Sequence, residues 1–204
     1  MDAKKMIDLK EIDSLAYEFY PKNVSSIEER HKYHESIEYN FLIKSLDEKN
    51  SIYDLNKLKS VFSTVETTFN VKIENYTLSS WLDRCHNWQF LLNENADTPR
   101  KIVMCLNISK IIPAYLVYIL EVEFDEKIGR LKYSPRRNEL LETKVYKQVI
   151  SEIEDIISSL LTISRFPMHI LSTKIMDLSF QDIKIGEFTY LNAFFLNSYN
   201  TRFV

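Results

Sequence analysis

The polar residues with the most suggestive spacing lie in one run, Glu121-Val-Glu123-Phe-Asp125-Glu126. In a strand, alternation puts Glu121, Glu123 and Asp125 on one face, each about 7 Å from the next. Three aligned carboxylates suit a hard divalent cation. They equally suit a basic surface on a partner protein, or a solvated face running into a turn. Basic residues follow at once, at Arg130, Lys132, Arg136 and Arg137. A hairpin between the two runs sets opposite charges across from each other.

Other reactive types are sparse. His31 and His34, three residues apart, share a helix face and invite a metal, but no HExxH and no third ligand accompanies them. Cys85 and His86 are adjacent, which on a strand sends them to opposite faces and on a helix sets them about 100° apart. Neither geometry makes a nucleophile–base pair. The two cysteines, Cys85 and Cys105, lack zinc-ligand spacing and read as reduced, packed thiols, with a disulfide between them as the alternative. Trp81 and Trp88, with Tyr76 and Phe90, form an aromatic segment. It reads as core, or as an exposed anchor for a partner, since Trp and Tyr are enriched at binding hot spots.

Glycine usage excludes the glycine-rich phosphate-binding and nucleophile motifs. The 204 residues include two glycines, Gly129 and Gly186. A P-loop, a dinucleotide fingerprint and a nucleophile elbow each need two or more close together. Turns must rest on asparagine, aspartate and serine, as at Asn50, Asn70, Asn95 and Asn138. A net charge of −3 argues against nucleic acid as partner. The most apolar run, Ile111 to Leu120, is half the length of a bilayer span. Charges interrupt the N-terminal apolar residues, so no leader peptide is expected. A soluble cytoplasmic protein with no cofactor is the expectation. Abundant Ile, Asn, Lys, Tyr and Phe fit an A+T-rich bacterial genome.

The elements that must hold these residues follow from periodicity. Helices are expected over 7–19, 27–48 and 52–69. Ile27, His34, Ile37 and Phe41 form the stripe of the second, and Leu55, Leu58, Phe62, Val65 and Phe69 that of the third. The longest helix is expected at about 138–163, with Leu141, Val145, Val149, Ile153, Ile156 and Leu160 facing a sheet. Strands are expected at 101–108 and 116–125, with 128–133 as a hairpin partner, a weaker strand at 71–78, and one or two more over 182–198. The apolar tail 188–204 is expected to pack as terminal strands, or to offer an edge for a homo-oligomer. Helices, strands, a long helix and strands again describe one α+β domain over 1–204 with a mostly antiparallel sheet.

This order, ending in the segment Asp182 to Leu196, is similar in style to the small bacterial immunity proteins of polymorphic and type VI secreted toxins. The resemblance covers the C-terminal third and transfers no functional residue. It implies a non-enzymatic domain that binds a cognate protein toxin and neutralises it. Glu121, Glu123, Asp125, Glu126, Trp81 and Trp88 are the candidate partner-binding residues. An enzyme or small-ligand protein whose site assembles only in three dimensions, and a structural oligomer subunit, are the alternatives.

Overall fold

The central strands set the architecture, because they are apolar on both faces and must be covered twice. The computed structural model describes residues 9–78, 83–93, 100–125, 130–135 and 144–197. Five antiparallel strands run in the order β1 (Glu74–Asn75), β2 (Cys85–Asn93), β3 (Arg100–Ser109), β4 (Ala114–Asp125) and β5 (Arg130–Pro135). A two-residue strand, β6 (Ser164–Arg165), pairs parallel to the start of β4. The fold is α+β, as expected. Strands β3 and β4 pair with Val103 opposite Leu120, Cys105 opposite Tyr118 and Leu106 opposite Val117.

Two helices cover one face. Helix α4 (Leu55–Phe69) starts where the Asp54 carboxylate accepts from the Asn56 amide, and closes at Asn70, which is left-handed with φ 49°. Both ends use residue types that favour those positions. Helix α5 (Lys144–Leu160) supplies Ile150, Ile153 and Ile157. They pack with Leu58, Val61 and Val65 of α4 on Trp88, Phe90, Met104, Leu106, Val117 and Ile119.

Less regular structure covers the other face. Helices α1 (Leu9–Phe19), α2 (Arg30–Glu35) and α3 (Ile37–Leu46) lie there with the C-terminal loops and a short helix, α6 (Tyr190–Phe194). Ile12, Ala16 and Leu42 meet Val103, Cys105, Leu116 and Leu120, together with Phe166, Phe180, Phe188, Phe194 and Phe195. No helix among the described residues is long and apolar enough to cross a membrane.

Four expectations change. The helix expected over 27–48 breaks at Ser36, whose extended backbone ends α2 and caps α3. The break resets the helical phase, so its expected stripe faces outward. Ile27, Ile37 and Phe41 are 40, 85 and 45% exposed, and Tyr33, Leu42 and Leu46 are buried instead. Over 182–197, turns and α6 stand where strands were expected, and 198–204 lie outside the described residues. Thr189 and Asn192 form a reciprocal capping box at α6, a local signal that overrides the aromatic, β-branched composition. The segment around Trp88 is strand β2. The strand expected over 71–78 shrinks to Glu74–Asn75. Gly186, with φ 82°, does mark a turn. Gly129, Asn95, Asn138 and the first residues expected of the long helix lie outside the described residues.

Cys85 and Cys105 are free and buried. Cys85 pairs with Ser109 and Cys105 with Gln89, which sets them four residues apart along β3. That is about 13 Å at the rise of a strand, far beyond disulfide reach.

Candidate functional site

Residues from the two ends of the chain meet in an open cleft of 730 Å³, on the irregular side of the sheet. One wall is built by residues 26–39. The Ser25 hydroxyl accepts from the Ile27 and Glu28 amides, while the Glu29 carboxylate accepts from the Ser25 amide. This exchange fixes the turn that launches α2. Arg30 and His34 then lie four residues apart, on one helix face. Tyr33 turns inward, and its hydroxyl donates to the Ser179 carbonyl at 2.7 Å. After the break at Ser36, Tyr39 returns to the cleft. Its ring stacks on His34 with centroids 4.7 Å apart and meets Tyr33 edge-on at 5.5 Å.

Phe180, Gln181, Asp182 and Asn197 form the opposite wall. Gln181 adopts a left-handed backbone, φ 54°, which turns the chain at the rim. Beneath the cleft the walls are stitched together. The Ser26 amide donates to Ser179 Oγ, Ser179 Oγ to the Val24 carbonyl, and Ser26 Oγ to the Gln181 carbonyl. The fully buried Arg84 guanidinium lies 4.9 Å from the Phe180 ring centroid. It donates to the Asn192 carbonyl and to Asn197 Oδ1, and Asn197 Nδ2 donates to Gln181 Oε1 at 2.6 Å. Arg30 and Asp182 line this frame, and neither makes an ion pair or side-chain hydrogen bond among the described residues.

Perturbed titration does not converge on the cleft. Burial alone is the leading cause for each strongly shifted group, and these groups are spread over both faces. Burial, then its bond to Asp177, raises the Tyr17 hydroxyl to about 12. Burial raises the Tyr33 hydroxyl and the Cys85 and Cys105 thiols. Burial, with Lys110 nearby, lowers His86 to about 4. Cys85 sits with the irregular face and His86 projects to the other, beside Trp88. The adjacent pair is therefore no catalytic dyad. His31 and His34 also separate. His31 pairs with Glu35 at 3.0 Å along a different groove, while His34 faces the cleft. No cluster of three metal-ligating side chains occurs among the described residues.

Of the residues singled out by the sequence, Glu121, Glu123 and Asp125 lie at alternating positions of β4, and Trp88 lies on β2. Glu121 is half-buried at the face of the sheet that carries Val117 and Ile119. Along β4, Glu123 is in register with Arg100 on one side and Lys132 on the other, and Asp125 is opposite Arg130. The register thus sets basic residues at the strand positions next to Glu123 and Asp125, the pairing expected of the hairpin. Trp88 is 5% exposed and packs edge-on against Phe62, so it is core and not an exposed anchor. Trp81 and Glu126 lie outside the described residues. The cleft escaped sequence reading because its walls are about 150 residues apart in the chain. The one local clue was Ser36, a cap residue placed mid-helix, whose recognition would have turned Ile37 and Phe41 outward. Comparison with protein-family models, with curated proteins and with solved structures gives no match.

Proposed function

We propose that this chain is a non-enzymatic binding domain whose ligand is another protein, and that the ligand is a bacterial toxin which it neutralises in the cytoplasm by covering the toxin's working surface. One observation carries the reading. Residues 27–43 supply half of the large apolar side chains exposed among the described residues, namely Ile27, Ile37, Phe41 and Ile43, and the same segment lines the cleft with Arg30, Tyr33, His34 and Tyr39. Tyrosine and arginine are enriched at interface centres, and here Arg30, Tyr33 and Tyr39 line one cleft together with exposed Ile27.

The test is co-expression with the toxin-like product of the adjacent gene, followed by titration calorimetry. Ile27→Asp and Tyr39→Ala are each expected to weaken the complex by about 30-fold or more, as hot-spot truncations do. Lys147→Glu, on exposed α5, should leave it unchanged. Absence of any complex with the neighbouring gene product, or equal affinity for all variants, overturns the reading.

A further inference from the structure

The charges of the cleft say what kind of segment it takes. Arg30 stands on the helical wall and Asp182 on the turn wall, both exposed, and each lacks an ion-pair partner among the described residues. Two opposite charges facing one cleft would ordinarily be drawn together in a flexible structure. Here each wall is fixed from below, by the Ser26–Ser179–Val24 bonds and by the Arg84–Asn197–Gln181 chain. The charges are held apart on a frame that is already paid for in hydrogen bonds. Between them the surface is aromatic, with Tyr33, Tyr39 and Phe180.

We infer that the cleft receives an extended segment of a partner protein carrying an acidic and a basic side chain, the acid set against Arg30 and the base against Asp182. This rests on the protein-binding reading of the same cleft. Guanidinium and carboxylate form the most directional of ion pairs, often with two parallel hydrogen bonds. His34, on the same helix face as Arg30, is positioned beside that end, and its ring is held by Tyr39. The charge complement is balanced, so a uniformly acidic or uniformly basic segment leaves one wall unpaired and opposed by like charge, which is the basis of discrimination between partners. An open trough between two walls suits an extended chain passing through. Ile27, exposed at its edge, offers the chain an apolar contact on the way out.

The test is selection of random 12-residue peptides displayed on phage, against the full chain and two charge-reversed variants, Arg30→Glu and Asp182→Lys. Both sites are exposed and unpaired, so both variants should keep the wild-type circular dichroism and melting temperature. Wild-type protein is expected to enrich peptides bearing one acid and one base at a fixed spacing. Arg30→Glu should exchange the acid for a base at its position, and Asp182→Lys the base for an acid. A synthetic wild-type-selected peptide should lose about 10-fold or more in affinity to either variant, by fluorescence anisotropy. Enrichment without charge preference, the same preference in all three proteins, failure to enrich any peptide, or dimerisation through this face by light scattering each overturns the inference. A toxin complex that survives both reversals overturns the inference and leaves the protein-binding reading standing. Absence of a toxin complex, with peptides enriched as described, overturns the toxin reading alone.

Discussion

The two faces of the sheet are covered by different kinds of structure. On one, α4 and α5 lay continuous apolar stripes over Trp88, Leu106 and Val117, and nearly every buried side chain is apolar. On the other, short helices and loops from both chain ends cover Cys105, Leu116 and Tyr118. That side also buries Arg84, Ser26, Ser179 and Asn192, all held by hydrogen bonds. Period-3.6 repetition can specify a regular layer by burial alone. An irregular layer has no such repeat, and its path is set by individual polar contacts. The irregular layer is also the one that opens into a cleft, in keeping with the tendency of binding sites to sit on loops held by a rigid scaffold.

If both layers belong to one cooperative core, truncation in either should cost alike. Ile153, fully buried in α5, and Phe166, fully buried against Phe195 on the irregular side, make the pair. Ile153→Ala is expected to destabilise by about 2–5 kcal/mol and Phe166→Ala by about 3–5 kcal/mol. Urea denaturation measures both. A loss below about 1 kcal/mol for Phe166→Ala would show that the irregular layer opens separately from the sheet.

The next effect separates the faces. On the irregular side, the Tyr20 hydroxyl donates to the Ala193 carbonyl and that of Tyr33 to the Ser179 carbonyl, over 173 and 146 residues of chain. Removing either hydroxyl leaves a buried carbonyl without that donor, so Tyr20→Phe and Tyr33→Phe should each cost about 1–3 kcal/mol. Equal losses with phenylalanine at half-buried Tyr17, whose hydroxyl meets the more accessible Asp177, would contradict the claim that buried polar pairing defines this layer.

This difference also explains what the sequence disclosed. Helix α4 was legible to within three residues, because Leu58 and Val65 repeat at helical spacing and Asn70 closes the helix. Strands β3 and β4 and their hairpin partner were legible from apolar runs and alternation. The irregular layer was not. The break at Ser36 reads as an interruption only if its capping role is weighed against the surrounding apolar residues, and the Thr189–Asn192 box competes with the strand-like composition around it. The cleft is further from view. Tyr33 and Ser179, or Arg84 and Asn197, are paired only by the tertiary fold, and no spacing in the chain announces them. Trp88 misled for the reverse reason, since a hot-spot residue type is also a core residue type.

Acid should weaken the regular side more than its apolar packing suggests. His86 titrates near 4 in the folded protein, chiefly because it is buried and then because of Lys110, against 6.5 for an unperturbed imidazole. Between those values the unfolded chain binds a proton that the folded chain does not. Stability therefore falls as pH drops through the window from 6.5 to about 4 and gains nothing further from this group above it. The limiting slope for one proton is about 1.4 kcal/mol per pH unit. His86→Gln should flatten the slope of urea stability against pH in that window. An unchanged slope would place the acid sensitivity elsewhere.

The smallest effect sharpens the comparison most, because it separates stability from binding. Ser36 and Asp54 each cap a helix, one on each side of the sheet. Ser36 Oγ accepts from the Tyr39 amide at 3.1 Å, and Asp54 Oδ1 accepts from the Asn56 amide at 2.8 Å. Replacing either with alanine should cost about 1 kcal/mol, as loss of a cap usually does. The consequences for the cleft differ. Ser36 also donates to the Tyr33 carbonyl at 2.8 Å, so it ties the end of α2 to the start of α3 and fixes Tyr33 and Tyr39 relative to each other. Asp54 has no such role. Ser36→Ala should therefore weaken partner or peptide binding by several-fold beyond its effect on folding, whereas Asp54→Ala, at similar stability, should bind as the wild type does. Measuring affinity well below the melting temperature of both variants keeps loss of folded protein out of the result. Equal affinity for the two would mean that the helix break only shapes the chain, and that the aromatic wall of the cleft is held by its buried contacts alone.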